Sequence, residues 1–316
     1  MTEPTPVPFL DVPMLLEHSQ PAPRTAWFWY GLGTFVLVVM LSAYASTQSP
    51  EMATLVRMLS GLIMVGLMVG MGLITWFAVK AQRSERLQLE AAEELVSLRR
   101  WPQAAVLLEA MLMRPTRSPG ARVQALIYLS TVLARYHRFD DAISVQNHLL
   151  DNVMMDSGTS HALRLGRAMA MLRSDHLFDA DRAISDLRRS TRRAEERNSE
   201  DVEDSDGSGT TPTPTFESAG LALIEVYRDV KTGHPAEAIE MFTAKLPILR
   251  QQLGHRSGDA YALVAKAYDL LGRSDAAQDA FEKATLLSPV DELNRRYPEV
   301  LSLSEKYNAA LAPSAA

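Results

Sequence analysis

Two stretches of this chain carry no charged residue, and they constrain it more than anything else in the sequence. The first covers residues 26–45 and the second residues 58–79, runs of 20 and 22 residues. A helix rises 1.5 Å per residue, so each run spans roughly 30 Å, the thickness of bilayer hydrocarbon. Trp27, Phe28, Trp29 and Tyr30 cluster at the start of the first run and Tyr44 lies near its end. Trp76 and Phe77 close the second. Aromatic rings prefer the membrane interface, so these positions mark the ends of two spans. The sequence therefore predicts a transmembrane hairpin, with residues 46–57 as a short extracytoplasmic loop.

Orientation follows from the flanking cations. Arg24 precedes the first run, and Lys80, Arg83 and Arg86 follow the second. The excess of positive charge beside the outer ends of the hairpin places both termini in the cytoplasm. The expected object is an integral membrane protein, of a bacterial inner membrane. A competing reading is a cleaved signal peptide, because Ala43-Tyr44-Ala45 has the small-x-small form and Ala45 would be the cleavage site. Against it stand the length of the run and the acidic Glu3, Asp11 and Glu17 ahead of it. Gly66 and Gly70 form a GxxxG spacing in the second run. Small residues at that spacing let helices approach closely, so both are candidates for packing against the first run or against a second copy of the chain in a homo-oligomer.

Beyond Lys80, alternation of the strand type is scarce, and Ala, Leu, Arg, Glu and Met dominate, all good helix formers. The fold class expected is all-α. A pattern recurs there: an aromatic or similar residue, two polar residues, an alanine, then an apolar helix. It is seen around Trp101-Pro102-Gln103-Ala104, Phe139-Asp140-Asp141-Ala142, His234-Pro235-Ala236-Glu237-Ala238 and Arg273-Ser274-Asp275-Ala276-Ala277. A variant with one extra residue runs from Phe178 to Ala183. The anchoring alanines 104, 142, 183, 238 and 277 are separated by 38, 41, 55 and 39 residues. A recurrence of that period is the signature of stacked helix pairs, with a small residue where the two axes come together.

In these residues the chain resembles the tetratricopeptide repeat (TPR) family over about residues 87–289. The last repeat carries Tyr261, Val264, Ala265, Tyr268, Gly272, Ala277, Phe281, Ala284 and Pro289 at the family's spacing. The resemblance implies a helical-repeat solenoid, with repeats 1–3 in residues 84–197 and repeats 4–5 in residues 216–289. It also implies a concave groove lined by the first helix of each repeat. The groove residues carried over are Gln124, Ile127, Thr131 and Arg135 in the second repeat, and Asp259, Ala262, Lys266 and Asp269 in the last. Protein or peptide partners are expected there. Residues 290–311 read as a C-terminal capping helix, with Leu293, Tyr297, Val300, Leu301 and Leu303 as its apolar face.

Two segments are expected to lie outside the packed structure. Residues 1–25 are Pro-rich and polar and are expected to be a disordered cytoplasmic lead-in; residues 198–215, NSEDVEDSDGSGTTPTPT, are expected to be a disordered acidic linker. Arg188, Arg189, Arg192, Arg193 and Arg197 precede that linker. They read as a solvated helix end neutralised by Glu195, Glu196 and the linker, in preference to a basic patch for lipid headgroups or nucleic acid.

No chemistry of catalysis is legible. There is no GxxxxGK[ST], no HExxH and no GxSxG. No histidine is three or four residues from another, and cysteine is absent, so neither a helical metal site nor a thiol nucleophile is expected. The expectation is a non-enzyme without cofactor, nucleic acid or small-molecule substrate: a membrane-anchored interaction scaffold whose cytoplasmic repeats bind proteins. The alternative is a structural subunit of a larger membrane assembly, of the secretion or envelope kind, docking through its hairpin.

Overall fold

The computed structural model describes residues 10–20, 31–36, 39–40, 43, 50–116, 118–203 and 219–311. Most of the first apolar run and residues 204–218, which include most of the expected linker, lie outside them. Every regular element among the described residues is helical. The chain divides into two compact units, residues 1–137 and 138–316.

The first unit begins with a short helix, α1 (Val12–His18). This corrects the expectation of a disordered lead-in for residues 10–20. Asp11 caps the helix by accepting the Met14 amide at 3.2 Å, and Leu10, Val12 and Leu15 are almost completely buried. They pack on α3 (Trp101–Leu112), which buries Ala104, Ala105, Leu108 and Leu112. Polar contacts fix the segment in place. The Thr116 hydroxyl donates to the Ser19 carbonyl at 3.0 Å. Arg122, on α4 (Pro119–Arg135), donates to the Ser19 hydroxyl at 3.1 Å and to the Leu16 carbonyl at 3.2 Å.

Between α1 and α3 runs α2 (Pro50–Ser97), a single helix of 48 residues, about 72 Å long at the standard rise. It departs from the sequence expectation twice. Residues 50–57, expected in the connecting loop, are already helical. The junction expected at residues 80–83, between membrane run and first repeat, is an unbroken part of the same helix. Nothing in the sequence stops it there: Lys80, Gln82, Arg83 and Glu85 are all helix-compatible and no glycine or proline intervenes. Its upper part exposes Leu62, Val65, Met68, Val69, Leu73 and Trp76, and its lower part buries Ala92 against α3 and α4. Among the described residues, the stretch Gly61–Ser97 is long and apolar enough to cross a membrane, and none of its apolar window is buried. Helical residues 31–34 of the first run border a cavity of about 670 Å³ with Ile63, Gly66, Gly70 and Ile74 of α2. A Cβ added at Gly66 or Gly70 would meet nothing within 4 Å, so the two glycines floor an open groove.

The second unit is a series of antiparallel hairpins. It opens with α5 (Phe139–Asn152), followed by the pairs α6 (Ser157–Arg173) with α7 (Leu177–Glu203), α8 (Ala219–Lys231) with α9 (Pro235–Leu253), and α10 (Ser257–Leu270) with α11 (Ser274–Leu287). Each hairpin packs on the next through both of its layers: α6 on α8 and α8 on α10, with α7 against α8 and α9 against α10. Residues 198–203, expected in the acidic linker, form the last turns of α7. The expected second repeat is divided, its first helix belonging to the first unit and its second helix to the other.

The turns inside the repeats share one construction. Arg99, His137, Asp175, Gly233 and Gly272 all have positive φ, from 57° to 79°. In four of the five, the next residue donates its amide five residues back: Arg100 to Leu95, His176 to Met171, His234 to Asp229 and Arg273 to Tyr268, at 2.8–2.9 Å. This is the Schellman closure of a helix C-terminus. Five residues after the left-handed residue comes Ala104, Ala142, Ala180, Ala238 or Ala277, and all of these alanines are fully buried. The anchor of the third repeat is therefore Ala180. The sequence pattern, counted from Phe178, points to Ala183; the turn at Asp175 sets the register instead. Where α10 and α11 close on each other, Gly258 is needed, because a Cβ there would lie 3.0 Å from the Leu287 side chain and 3.2 Å from the Ala284 carbonyl.

The C-terminal cap is two helices and not one. α12 (Val290–Arg296) ends at Tyr297, a 3-10 turn spans Pro298–Val300, and α13 (Leu301–Leu311) follows.

Candidate functional site

The face on which the resemblance places partner binding is, in the second unit, covered by the chain's own C-terminal segment. Residues 296–307 lie against α8 and α10, and their contacts are specific. Asp259 is completely buried and accepts from Arg296 Nη1 at 2.7 Å and 3.0 Å through its two oxygens. The Tyr297 hydroxyl donates to the same carboxylate at 3.4 Å. Lys266 donates to the Ser302 hydroxyl at 2.9 Å, and Lys306 donates to Asp269 at 2.8 Å. Ala262, the fourth residue of the set, is fully buried.

Two aromatic anchors fill the apolar part. Tyr297 is completely buried, and its ring meets that of Tyr227 edge-on at 5.1 Å. The Arg173 guanidinium sits 5.3 Å from the Tyr297 ring centre. Tyr307 lies beside Phe281, ring centres 6.1 Å apart, and donates its hydroxyl to the Ser274 carbonyl. Between them Val300 and Leu303 have no exposed surface. Glu299 accepts from Tyr227 at 3.1 Å and pairs with Lys231 at 3.3 Å, which in turn pairs with Asp175 at 2.8 Å.

Charge in this face is balanced. Burial drives the phenol pKa of both Tyr227 and Tyr297 far above the ordinary range, reinforced by the carboxylates of Glu299 and Asp259 respectively. Both hydroxyls therefore stay protonated and act as donors. Burial works against the Arg296 cation, but Asp259 and Glu292 outweigh it and hold its pKa above the usual value.

The other four groove residues lie on α4 in the first unit and are arranged differently. Gln124, Ile127 and Arg135 are half-buried and Thr131 is exposed. Gln124 bonds to Tyr128, Thr131 donates to the Ile127 carbonyl at 3.1 Å, and the Arg135 guanidinium lies 5.7 Å over the Trp101 ring. The two sets of four thus belong to separate units. Asp259, Lys266 and Asp269 each hold a residue of the C-terminal segment, while the α4 set is turned to its own helix and to α3. The residues that sequence reasoning left out of this site are Arg296, Tyr297, Glu299, Ser302 and Lys306. Among the described residues, no cluster of His, Cys, Asp or Glu is arranged to hold a metal ion.

No protein-family model matches the chain, and no curated protein matches it. Among solved structures it is similar to a thermophilic TPR protein of Thermus thermophilus, at 18% identity and a TM-score of 0.46, over 69% of this chain and 99% of that one.

Proposed function

We propose that the chain is a membrane-anchored helical-repeat scaffold that binds protein segments in helical form. The observation that carries this reading is the C-terminal segment itself. The α8–α10 face takes up a short helical stretch through two buried tyrosines, one fully buried carboxylate paired with an arginine, and a rim of exposed polar contacts. That combination of apolar anchors with a charged rim is how helix-in-groove recognition works. A partner helix competing for the same face would use equivalent groups, and the exposed Thr131 side of α4 offers a second surface.

Membrane anchoring is supported by the bare apolar length of α2 and by chain parity. Segment 10–20 is packed on α3 and α4, so it must lie on the same side of any membrane as the first repeat. Two apolar runs separate these segments, which is the even number of crossings that such packing requires. With the flanking cations, that side is the cytoplasm.

The chain has no cysteine, so single introduced cysteines report topology without background. Gln48→Cys should react with an impermeant maleimide on intact cells, and Gln20→Cys and Ser314→Cys only after permeabilisation; labelling of Gln20→Cys in intact cells overturns the hairpin. A photocrosslinker at Thr131, or at Lys266 in a chain ending at Arg296, should capture protein in native membranes where one at Thr243 does not. Equal capture from all three positions overturns the groove.

A second reading rests on the groove over Gly66 and Gly70, which is open for another helix. If capture disappears with Gly66→Leu and persists after every change in the repeats, the chain is a subunit that docks through its hairpin.

A further inference from the structure

A different part of the second unit carries a site that neither the groove nor the hairpin uses. Between α5, α6 and α7 lies a cavity of about 430 Å³, within the size range of small-ligand pockets. Arg164 and Arg167 reach it from α6, one turn apart; Arg189 and Arg193 reach it from α7, again one turn apart; Asp151 and Asp186 complete the charged lining. Residues at these spacings share a helix face, so two pairs of guanidiniums oppose each other across the opening. Cations outnumber carboxylates by two.

The cations are not all compensated. Arg189 pairs with Asp186. Arg167 donates one Nη to Asn147 at 2.9 Å, but its Nε is buried and donates to nothing. Burial, and then the neighbouring charge of Arg164, pull the Arg167 pKa below its usual value, while Asp151 and Asp186 push back. Arg164, Arg189 and Arg193 are exposed, and with the half-buried, under-bonded Arg167 they leave a local excess of positive charge that Asp151 and Asp186 only partly offset and a bound anion would balance. Four guanidinium forks present more donors than a single carboxylate can accept. A phosphoryl group, with three oxygens and up to two negative charges, matches their number and geometry.

We propose that this cavity binds a phosphoryl dianion, held by Arg164 and Arg167 on one wall and Arg189 and Arg193 on the other. The group is supplied either by a soluble phosphate ester or by the headgroup of a phosphomonoester lipid. The site stands independently of the groove, since no residue of segment 296–307 takes part in it.

The test uses the full chain in neutral detergent. Calorimetric titration with inorganic phosphate should show saturable one-to-one binding that weakens with added salt, and acetate should bind at least about tenfold more weakly because it offers one fork's worth of acceptors. A parallel titration with mixed micelles containing phosphatidic acid separates the sources: tighter binding there assigns the lipid headgroup, and equal or weaker binding assigns the soluble ester. Arg164→Gln and Arg167→Gln should each weaken binding about tenfold or more, while Arg182→Gln, on the exposed side of α7, leaves it unchanged. Melting curves without ligand check that the variants fold; Arg167→Gln should melt no lower than the parent, since it relieves an under-bonded cation. Absence of saturable binding to both phosphate and phosphatidic acid, binding insensitive to the two α6 substitutions, or preference for an acidic peptide over phosphate each overturns the proposal.

Discussion

Asp259→Asn tests the C-terminal segment most directly. In the parent, the Asp259 carboxylate has no exposed surface and is neutralised by Arg296, whose side chain is 19% exposed and also holds Glu292 at 2.6 Å. The two partners are therefore unequal. Removing the Asp259 charge leaves Arg296 with a second carboxylate and some water, so the expected loss is about 2 kcal/mol, the worth of charge-assisted hydrogen bonds. Removing the guanidinium with Arg296→Met instead strands a buried carboxylate that keeps only the 3.4 Å bond from Tyr297, and the expected loss is about 3–5 kcal/mol. Pairing Asp259→Asn with Arg296→Met should recover part of that loss, because no buried charge is then left over. For a unit of this size 1 kcal/mol moves Tm by roughly 2–4 °C, so the single changes should lower the melt, followed by circular dichroism at 222 nm, by about 4–8 °C and about 6–20 °C. Limited proteolysis near Arg295 and Lys306 should accelerate in the same order. If both single changes cost less than about 1 kcal/mol, or if Asp259→Asn is the worse of the two, the segment is not held by a buried ion pair.

Other outcomes follow from the repeats and their titratable groups. Arg99 sits at φ 57°, a conformation that costs a non-glycine residue roughly 1–2 kcal/mol; Arg99→Gly should therefore raise stability by about 0.5–1 kcal/mol in thermal unfolding, and a drop would show that the turn is held by other contacts. Ala180 is fully buried at the turn-defined anchor, so Ala180→Leu should cost about 1–3 kcal/mol by overpacking; tolerance of leucine would return the anchor to Ala183. Burial, with help from Arg164, holds the His161 pKa below its usual 6.5. Its folded-state pKa is thus depressed, so the unfolded chain takes up the proton first. Stability is full above about pH 6.5 and falls as the pH drops from there through the folded value. Melts at pH 7.5 and pH 5.5 should differ more for the parent than for His161→Gln, and an equal difference would remove His161 as a contributor.

The repeats are legible in the sequence because their buried alanines and flanking apolar residues recur at a helical-pair period. The turns are legible only where glycine marks them. Gly233 and Gly272 announce a left-handed residue, whereas Arg99, His137 and Asp175 adopt the same conformation without a signal in their side chains. That is why the sequence pattern sets the third anchor three residues late. Continuity of α2 is hidden for the opposite reason: a change from apolar to charged composition near Lys80 reads as a boundary, but charge on a helix surface does not interrupt backbone hydrogen bonding. The prolines of the lead-in mislead, although Pro13 occupies the first turn of α1, where proline is tolerated. Placements such as Asp259 against Arg296, or Arg167 and Arg193 on the lining of one cavity, join residues far apart in the chain and on different helices, and no local pattern encodes them.

The unbroken run of α2 has a mechanical meaning. From Met58 to Ser97 there is neither proline, cap nor bulge to absorb a twist, so the exposed apolar half of α2 and the half packed on α3 and α4 turn as one shaft. Each residue inserted near Gln82 would swing everything below it by about 100°, and about seven would nearly restore the original bearing. A signal arriving as torsion or piston motion at Trp76 would therefore emerge, undamped, as a reorientation of Ala92 and the helices packed on it.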